Sequence, residues 1–459
     1  MWTPTLTDSE QPRYVALVDA IARAIACGEL KPGERLPPQR RLAWALGWNP
    51  STTMQAYREA ARRHLVAGEV GRGTYVLAGS QEATLFKLQQ VDELPARLDL
   101  RTNVPAVDHA APGDARALSW LLDTGQAVRL QGYLSAADLL LARAHGADWV
   151  KRRGLPVPIE HVMLCTGAQQ GLFTALLSLC QAGEPVLVEA YTAPGIKAAC
   201  AQLRLPLHAV TLDQQGMVPE DFDRMIRATG ARLAILTPTL QNPTSAVMGL
   251  ARQQAIAQVA HRHGVRVIED DVYGALTDNP PLCALLGDLG VLVSSLSKTV
   301  AAGVRVGWIV ASPQVLARID PQAQSAHWGV SPLCVAIASQ WLADGTAEQR
   351  LAWQTAEVSR RWRLAKKYLG HMMYQTTTPS PHIWLTAARR DMSLAQACRE
   401  AGVDVVPSDV FAVKPGATDA VRISLTAAPS AQALNRALQR IATTTGTLCD
   451  FHLQRDPHA

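Results

Sequence analysis

A chain of 459 residues is too long for one compact core, so two or three domains are expected. With 48% apolar and 18% charged residues the composition is that of a soluble globular protein. The net charge of +5 is too small to argue for nucleic acid on its own, although residues 1–78 hold ten Lys/Arg against seven Asp/Glu and make the front mildly basic. The opening MWTPTLTDSEQPR is polar and broken by proline, so neither a signal peptide nor a membrane span is expected. The eight cysteines have no CxxC spacing and no neighbouring His cluster. They read as reduced thiols of a cytoplasmic protein, with no metal site.

In chain order, Tyr14–Cys27 places Leu17, Val18, Ile21 and Ile25 on one helical face and runs to Gly28. After the Lys31-Pro32-Gly33 turn, a second short helix, Gln39–Leu46, turns Leu42, Ala43 and Leu46 inward. Asn49-Pro50 supplies an N-cap side chain followed by proline at the first helical position, which starts a third helix running through Tyr57 towards Val66. Glu69–Leu77 reads as a hairpin around Gly71-Arg72-Gly73. Three short helices and a hairpin describe a winged helix-turn-helix over residues 1–78, or a small helical domain with another binding role.

Residues 79–97 are polar and aperiodic, as in a linker. From residue 160 onward, β-runs (Val162–Cys165, Pro185–Glu189, Leu233–Thr237, Val265–Ile268, Leu292–Ser295, Arg305–Val310) alternate with helical stretches. This is the pattern of an α/β protein with a mostly parallel, doubly wound sheet, on which ligands sit at the carboxyl ends of strands.

At those ends stand Thr166-Gly167-Ala168-Gln169, Gln241-Asn242-Pro243-Thr244, Glu269-Asp270-Asp271-Val272-Tyr273 and Ser295-Leu296-Ser297-Lys298, with Arg305 seven residues on. Each has a use for a phosphorylated pyridine aldehyde. The amides of Gly167, Ala168 and Gln169 open a helix and suit a phosphate. Ser295, Ser297 and Arg305 add hydroxyls and a fixed cation. Asp270 can pair with a protonated pyridine nitrogen, Asn242 and Tyr273 with the ring hydroxyl, and Lys298 is the amine for an imine. Singly these motifs are turns, caps and loops; their joint order is the signal.

On these residues the chain from 98 onward resembles a fold-type I aminotransferase of the kynurenine and aminoadipate subgroup. The front domain resembles a GntR-type winged helix, and the whole resembles the MocR family of regulators. The resemblance implies a pyridoxal 5'-phosphate domain over 98–459 with a small C-terminal α+β subdomain from about 315. It implies Lys298 as the Schiff-base lysine, Asp270 as the pyridine-nitrogen partner, Asn242 and Tyr273 on the ring hydroxyl, and Ala168, Gln169, Ser295, Ser297 and Arg305 as the phosphate cup. It also gives Arg422 as the carboxylate-binding arginine, against a surface arginine on an edge strand. Tyr133 is then a residue lent to the partner's phosphate site in a homodimer, although Ser135-Ala136-Ala137 follows it in place of a glycine-rich sequence. Where relatives place an aromatic residue over the ring face, this chain has Ala193, with Tyr191 two residues away.

In GntR-type domains the equivalents of Arg40, with Arg41 beside it, and of Asn49, Ser51, Thr52 and Gln55 meet DNA, and Arg72 at the hairpin tip is placed to enter a minor groove. Pro50 stands where relatives often carry arginine, while Arg58, Arg62 and Arg63 read as the solvated face of the third helix. The expected function is a regulator that binds operator DNA and senses an amino acid or related carboxylate through Lys298. The alternative is a working aminotransferase with an appended DNA-binding domain.

Overall fold

The computed structural model describes residues 2–4, 12–26, 29–30, 34–62, 65–69, 73–76, 97–108, 113–319, 329–374, 377–386, 393–414 and 418–445. The chain divides into two compact units, Met1–Val91 and Asp92–Ala459. Arg72, Arg63 and the 79–97 segment up to residue 96 lie outside the described residues.

The first unit is built from α1 (Arg13–Ala26), α2 (Gln39–Ala45), α3 (Pro50–Arg62) and an antiparallel pair, β1 (Val66–Glu69) with β2 (Gly73–Val76). The apolar stripe Leu17, Val18, Ile21 and Ala24 of α1 packs with Leu42, Ala56, Tyr57, Ala60, Val66 and Val76 in one core. Asn49 caps α3 by accepting from the Ser51 amide at 2.9 Å, as its position before Pro50 indicates. The third helix is shorter than its sequence pattern suggested. By Val66 the chain is already a strand, and the β-branched pair Val66 and Val76 faces across the hairpin.

The second unit carries a seven-stranded sheet in the order β4-β12-β11-β10-β9-β5-β6. After a short β3 (Leu98–Asp99) come β4 (Val162–Cys165), β5 (Val186–Glu189), β6 (Leu207–Val210), a two-residue pair β7 (Leu212–Asp213) and β8 (Gly216–Met217), then β9 (Leu233–Leu236), β10 (Arg266–Asp270), β11 (Gly290–Ser295) and β12 (Gly307–Val310). Neighbours run parallel except β12, which is antiparallel to both β11 and β4. Strands β5, β9, β11 and β12 are buried throughout, which is why each contains a run of at least three apolar residues. The edge strand β6, with His208 in it, gave no such run. Arg305, expected to open the last strand, lies two residues before it in a left-handed conformation, φ 51°.

A second, three-stranded antiparallel sheet has the order β13-β16-β15, from β13 (His382–Thr386), β15 (Val406–Pro407) and β16 (Ala420–Ser424), while β14 (Val403–Asp404) pairs in parallel with β3. The helices Thr346–Leu369 and Ala431–Thr444 cover it through Trp362, Leu369, Leu434, Leu438 and Ile441. Leu100, just past β3, belongs to this core. Among the described residues no helix is long and apolar enough to cross a membrane, and the six described cysteines are unpaired.

Candidate functional site

The carboxyl ends of the strands bring Ala168, Gln169, Asn242, Asp270, Tyr273, Ser295, Ser297 and Lys298 to one edge of the seven-stranded sheet, and Arg305 joins them from before the amino end of the antiparallel β12. The phosphate end is a cradle shaped by missing side chains. Gly167 is the N-cap of the helix Ala168–Leu179 at φ 76°, and a Cβ there would stand 2.8 Å from Arg305 Nη2. A Cβ on Gly307 would meet the Ser294 carbonyl at 2.6 Å. No side chain caps this helix, so its first amides point outward as anion donors. Arg305 donates to Ser297 Oγ at 3.2 Å and to the Thr166 carbonyl at 3.4 Å. Gln169 is fixed by its Nε2, which donates to the Gly195 carbonyl at 2.8 Å.

Two adjacent aspartates end β10, and their surroundings distinguish them. Asp271 is buried in an ion pair with Arg153, 3.1 Å apart. Asp270 carries a buried Oδ1 with no hydrogen-bond partner. Burial, reinforced by Asp271, raises the Asp270 carboxyl to about 6, opposed by the Val272 amide and by Lys298. An unpartnered buried acceptor is what a pyridinium N–H requires, so the residues present fit pyridoxal phosphate. That group supplies an electron sink when bound.

Lys298 follows β11 and is part-buried; its Nζ donates to the Asn103 carbonyl at 2.6 Å. Burial first, then Arg422 and Arg305, lower its ammonium to about 8, with Asp270 opposing. A lysine so shifted is far richer in the free amine at neutral pH than one in water. Asn103 Nδ2 donates to Tyr273 Oη at 2.8 Å, leaving the tyrosine's own proton to donate to a ligand.

Arg422 is not a surface arginine. Its strand β16 is the central one of the small sheet, and the residue is only 4% exposed. Nη1 donates to Asn242 Oδ1 at 2.9 Å, Nη2 to the Arg101 carbonyl, and the guanidinium lies 5.0 Å over the Phe411 ring. Its Nε has no partner, and among the described residues no carboxylate pairs with it. Burial brings it down to about 10, still cationic at neutral pH. A buried cation with a spare donor is a receptor for a carboxylate.

Tyr191 is committed elsewhere: its ring tilts against Trp384 at 5.5 Å and its hydroxyl is 3.1 Å from Thr418 Oγ1. Ala193, at the position where the sequence reading expects a residue over the ring face, is the N-cap of the helix Pro194–Gln202. Tyr133 is 75% exposed and lines a surface groove with Trp120, Leu130, Leu134 and Leu141, apart from the residues above.

Sequence reasoning missed Asn103 and His382, which come from segments without a motif. His382 Nδ1 accepts from Asn103 Nδ2 at 3.0 Å and its Nε2 donates to the Gln241 carbonyl at 3.0 Å, which sets its tautomer. Burial, then Arg422, hold its imidazole down at about 3. Gln241 in turn donates to Glu189 Oε2 at 3.0 Å. Burial pushes the Glu189 carboxyl from 4.5 to about 8, so between those values the folded protein holds a proton that the unfolded chain releases. Stability from this residue falls as pH rises through that window, whereas His382, with its folded value below 6.5, adds stability only as pH rises from about 3 to 6.5. The melting temperature is therefore expected to fall between pH 6.5 and 8, and the fall to flatten in Glu189→Gln. Equal slopes in the two proteins would remove Glu189 as its source.

In the first unit, Thr53 Oγ1 donates to the Gln39 carbonyl at 3.1 Å and Tyr57 Oη to the Pro37 carbonyl at 2.6 Å, which ties the start of α3 to the start of α2. Arg40 and Arg41 on α2, Asn49 as the cap of α3, and Ser51 and Gln55 within it are thereby brought near one another and are exposed, with Thr52 half-buried. Ser51, Gln55 and Arg58 share one face of α3 at helical spacing, so Arg58 joins this set. Two helix N-termini beside two arginines suit phosphate groups.

Comparison with known proteins agrees with both units. Residues 98–441 match the model for aminotransferase class I and II, and residues 13–76 that for bacterial regulatory proteins, gntR family. The uncharacterized HTH-type transcriptional regulator YdeF of Bacillus subtilis is 25% identical over 443 residues, 95% of each chain. The 2-aminoadipate transaminase of Thermus thermophilus is 25% identical over 75% of this chain and 89% of its own. Among solved structures, an archaeal alanine:glyoxylate aminotransferase shares the fold at TM-score 0.71 and 21% identity, over 80% of this chain and 95% of its own. The α-aminoadipate aminotransferase LysN of Thermus thermophilus does so at 0.69 and 22%, over 81% and 98%. The chain belongs to the aminotransferase class I and II family, whose members depend on pyridoxal phosphate, and carries in front a DNA-binding domain of the gntR type.

Proposed function

We propose that this protein is a DNA-binding transcription regulator whose aminotransferase domain holds pyridoxal phosphate on Lys298 and senses an amino acid or a related carboxylate through Arg422. The observation that carries this reading is the presence, on one chain, of an exposed two-helix face bearing Arg40, Arg41, Ser51 and Gln55 and of a buried set in which Asp270 and Arg422 keep unpartnered polar atoms. Residues 1–78 are the DNA-binding domain, 79–97 the linker and 98–459 the sensor, with the small subdomain from about 315. In the sensor, Ala168, Gln169, Ser295, Ser297 and Arg305 bind phosphate, Asp270 holds the ring nitrogen's proton, and Asn242 and Tyr273 donate to the ring hydroxyl.

The protein acts in the cytoplasm as a homodimer. Leu122, Val128, Tyr133 and Leu140 are each more than half exposed along Gly113–Lys151, an apolar surface of the kind a second subunit covers. Tyr133 then serves the partner's phosphate site. A second reading, an aminotransferase with an appended domain, is favoured by the completeness of the Lys298, Asn242, Tyr273 and Arg422 set. The two separate when the pyridoxal phosphate form is incubated with single amino acids and 2-oxoglutarate. The regulator is expected to change its absorption spectrum without sustained formation of a 2-oxo acid. Continuous turnover of one substrate pair would make it the enzyme.

A further inference from the structure

Residues 100–106 cross the candidate site without helix or strand, and both ends are tied down. At one end the Leu100 amide donates to the Asp404 carbonyl at 2.9 Å and the Ser424 amide to the Leu100 carbonyl at 2.9 Å. At the other, the buried Gln354 holds Ala106 from both sides: its Oε1 accepts from the Ala106 amide at 3.1 Å and its Nε2 donates to the Ala106 carbonyl. Between these anchors two main-chain carbonyls engage two of the site's three cations. The Arg101 carbonyl accepts from Arg422 Nη2, and the Asn103 carbonyl accepts from Lys298 Nζ at 2.6 Å. Arg101 is itself aimed by Asp99 of β3, whose Oδ1 accepts from the Arg101 amide and Nε, both at 2.9 Å, and whose Oδ2 accepts from Nη2 at 2.8 Å.

We propose that this strap is a built-in competitor for the effector site: the Arg101 carbonyl occupies Nη2 of Arg422 and leaves Nε as its spare donor, so an effector carboxylate that takes both binds by displacing the carbonyl. The inference rests on the reading of residues 98–441 as an effector site. Both bonds have a charged donor, but a carboxylate also brings a full negative charge and two oxygens that can accept from the guanidinium side by side, where the strap offers one neutral carbonyl, so the exchange is favourable once the strap yields. The apparent affinity is then reduced by the fraction of molecules in which the strap is displaced. The displaced carbonyl belongs to a residue whose side chain is fixed on β3, the first element after the linker. Gln354 acts as a positioning residue, because it touches the strap and not the ligand.

The test is titration calorimetry on full-length, cofactor-free protein with two stable probes, pyridoxamine 5'-phosphate and N-(5'-phosphopyridoxyl)-L-alanine. They share ring, phosphate and amine and differ by the carboxylate-bearing arm. Gln354→Met removes both anchoring hydrogen bonds at similar side-chain length. Gln354→Glu keeps the acceptor for the Ala106 amide and loses the donor, a partial release that carries the test should Gln354→Met fail to fold. The preference for the carboxylate-bearing probe is expected to grow roughly 3–10-fold in Gln354→Met, with Gln354→Glu in between. In the wild type that probe alone is expected to speed amide exchange at Leu98 and Leu100. A preference unchanged or weakened in both variants, or protection of those amides, overturns the strap while leaving the effector site standing. Failure of both probes to bind wild-type protein overturns the effector site and the strap with it.

Discussion

Lys298→Ala is expected to lose the protein-induced long-wavelength absorption of bound pyridoxal phosphate, and with it retention of the cofactor through desalting. The lysine lies at the end of β11, inside a cluster of two arginines, and its ammonium is lowered to about 8 by burial first and by those cations second. At pH 7 about a tenth of such lysines are free amine, against well under a thousandth for an unperturbed one. Alanine removes the amine and the Nζ bond to the Asn103 carbonyl but leaves the Gly167 cradle, Arg305 and Asp270 in place. Residual binding through phosphate and ring should survive, weaker by at least about 100-fold for the lost covalent attachment. A variant with the wild-type spectrum would exclude Lys298.

The second large effect lies at the other end of the chain. Arg40→Ala together with Arg41→Ala is expected to weaken binding to the protein's own upstream DNA by about 10- to 1,000-fold and to reduce the slope of log affinity against log salt by about 2. Both side chains are exposed on α2, and the Thr53 bond to Gln39 fixes them against the start of α3. Because neither belongs to the domain core, the melting temperature should be unchanged. Wild-type affinity and slope in the double variant would place the DNA face elsewhere.

What the sequence disclosed follows from how each feature is encoded. Strands buried on both faces need apolar residues on both, so β5, β9, β11 and β12 stood out, whereas the half-covered edge strand β6 did not. Motifs at strand ends are contiguous in sequence, so Asp270, Asn242 and Lys298 were visible. Asn103 and His382 gained their roles only when residues 103, 273 and 382 met in space, through hydrogen bonds that leave no local spacing. The sequence named Asp270 over Asp271 without a physical ground for the choice; that ground is Arg153, which pairs with Asp271 across 118 residues. For Arg422 the sequence left a surface position open, because strand order in the small sheet decides burial and a short alternating run does not state it. Near Ala193, Tyr191 is held by Thr418 and Trp384 of the small subdomain, contacts between distant segments that no local spacing announces.

The central claim is that chemistry at Lys298 changes the grip on DNA. The direct measurement is a titration of the protein's own upstream DNA with wild type and Lys298→Ala, each cofactor-free, with pyridoxal phosphate, and with pyridoxal phosphate plus single amino acids. The cofactor, alone or with one amino acid, is expected to shift wild-type affinity about fivefold or more and to leave Lys298→Ala unmoved. Superimposable isotherms for both proteins under all conditions would contradict it.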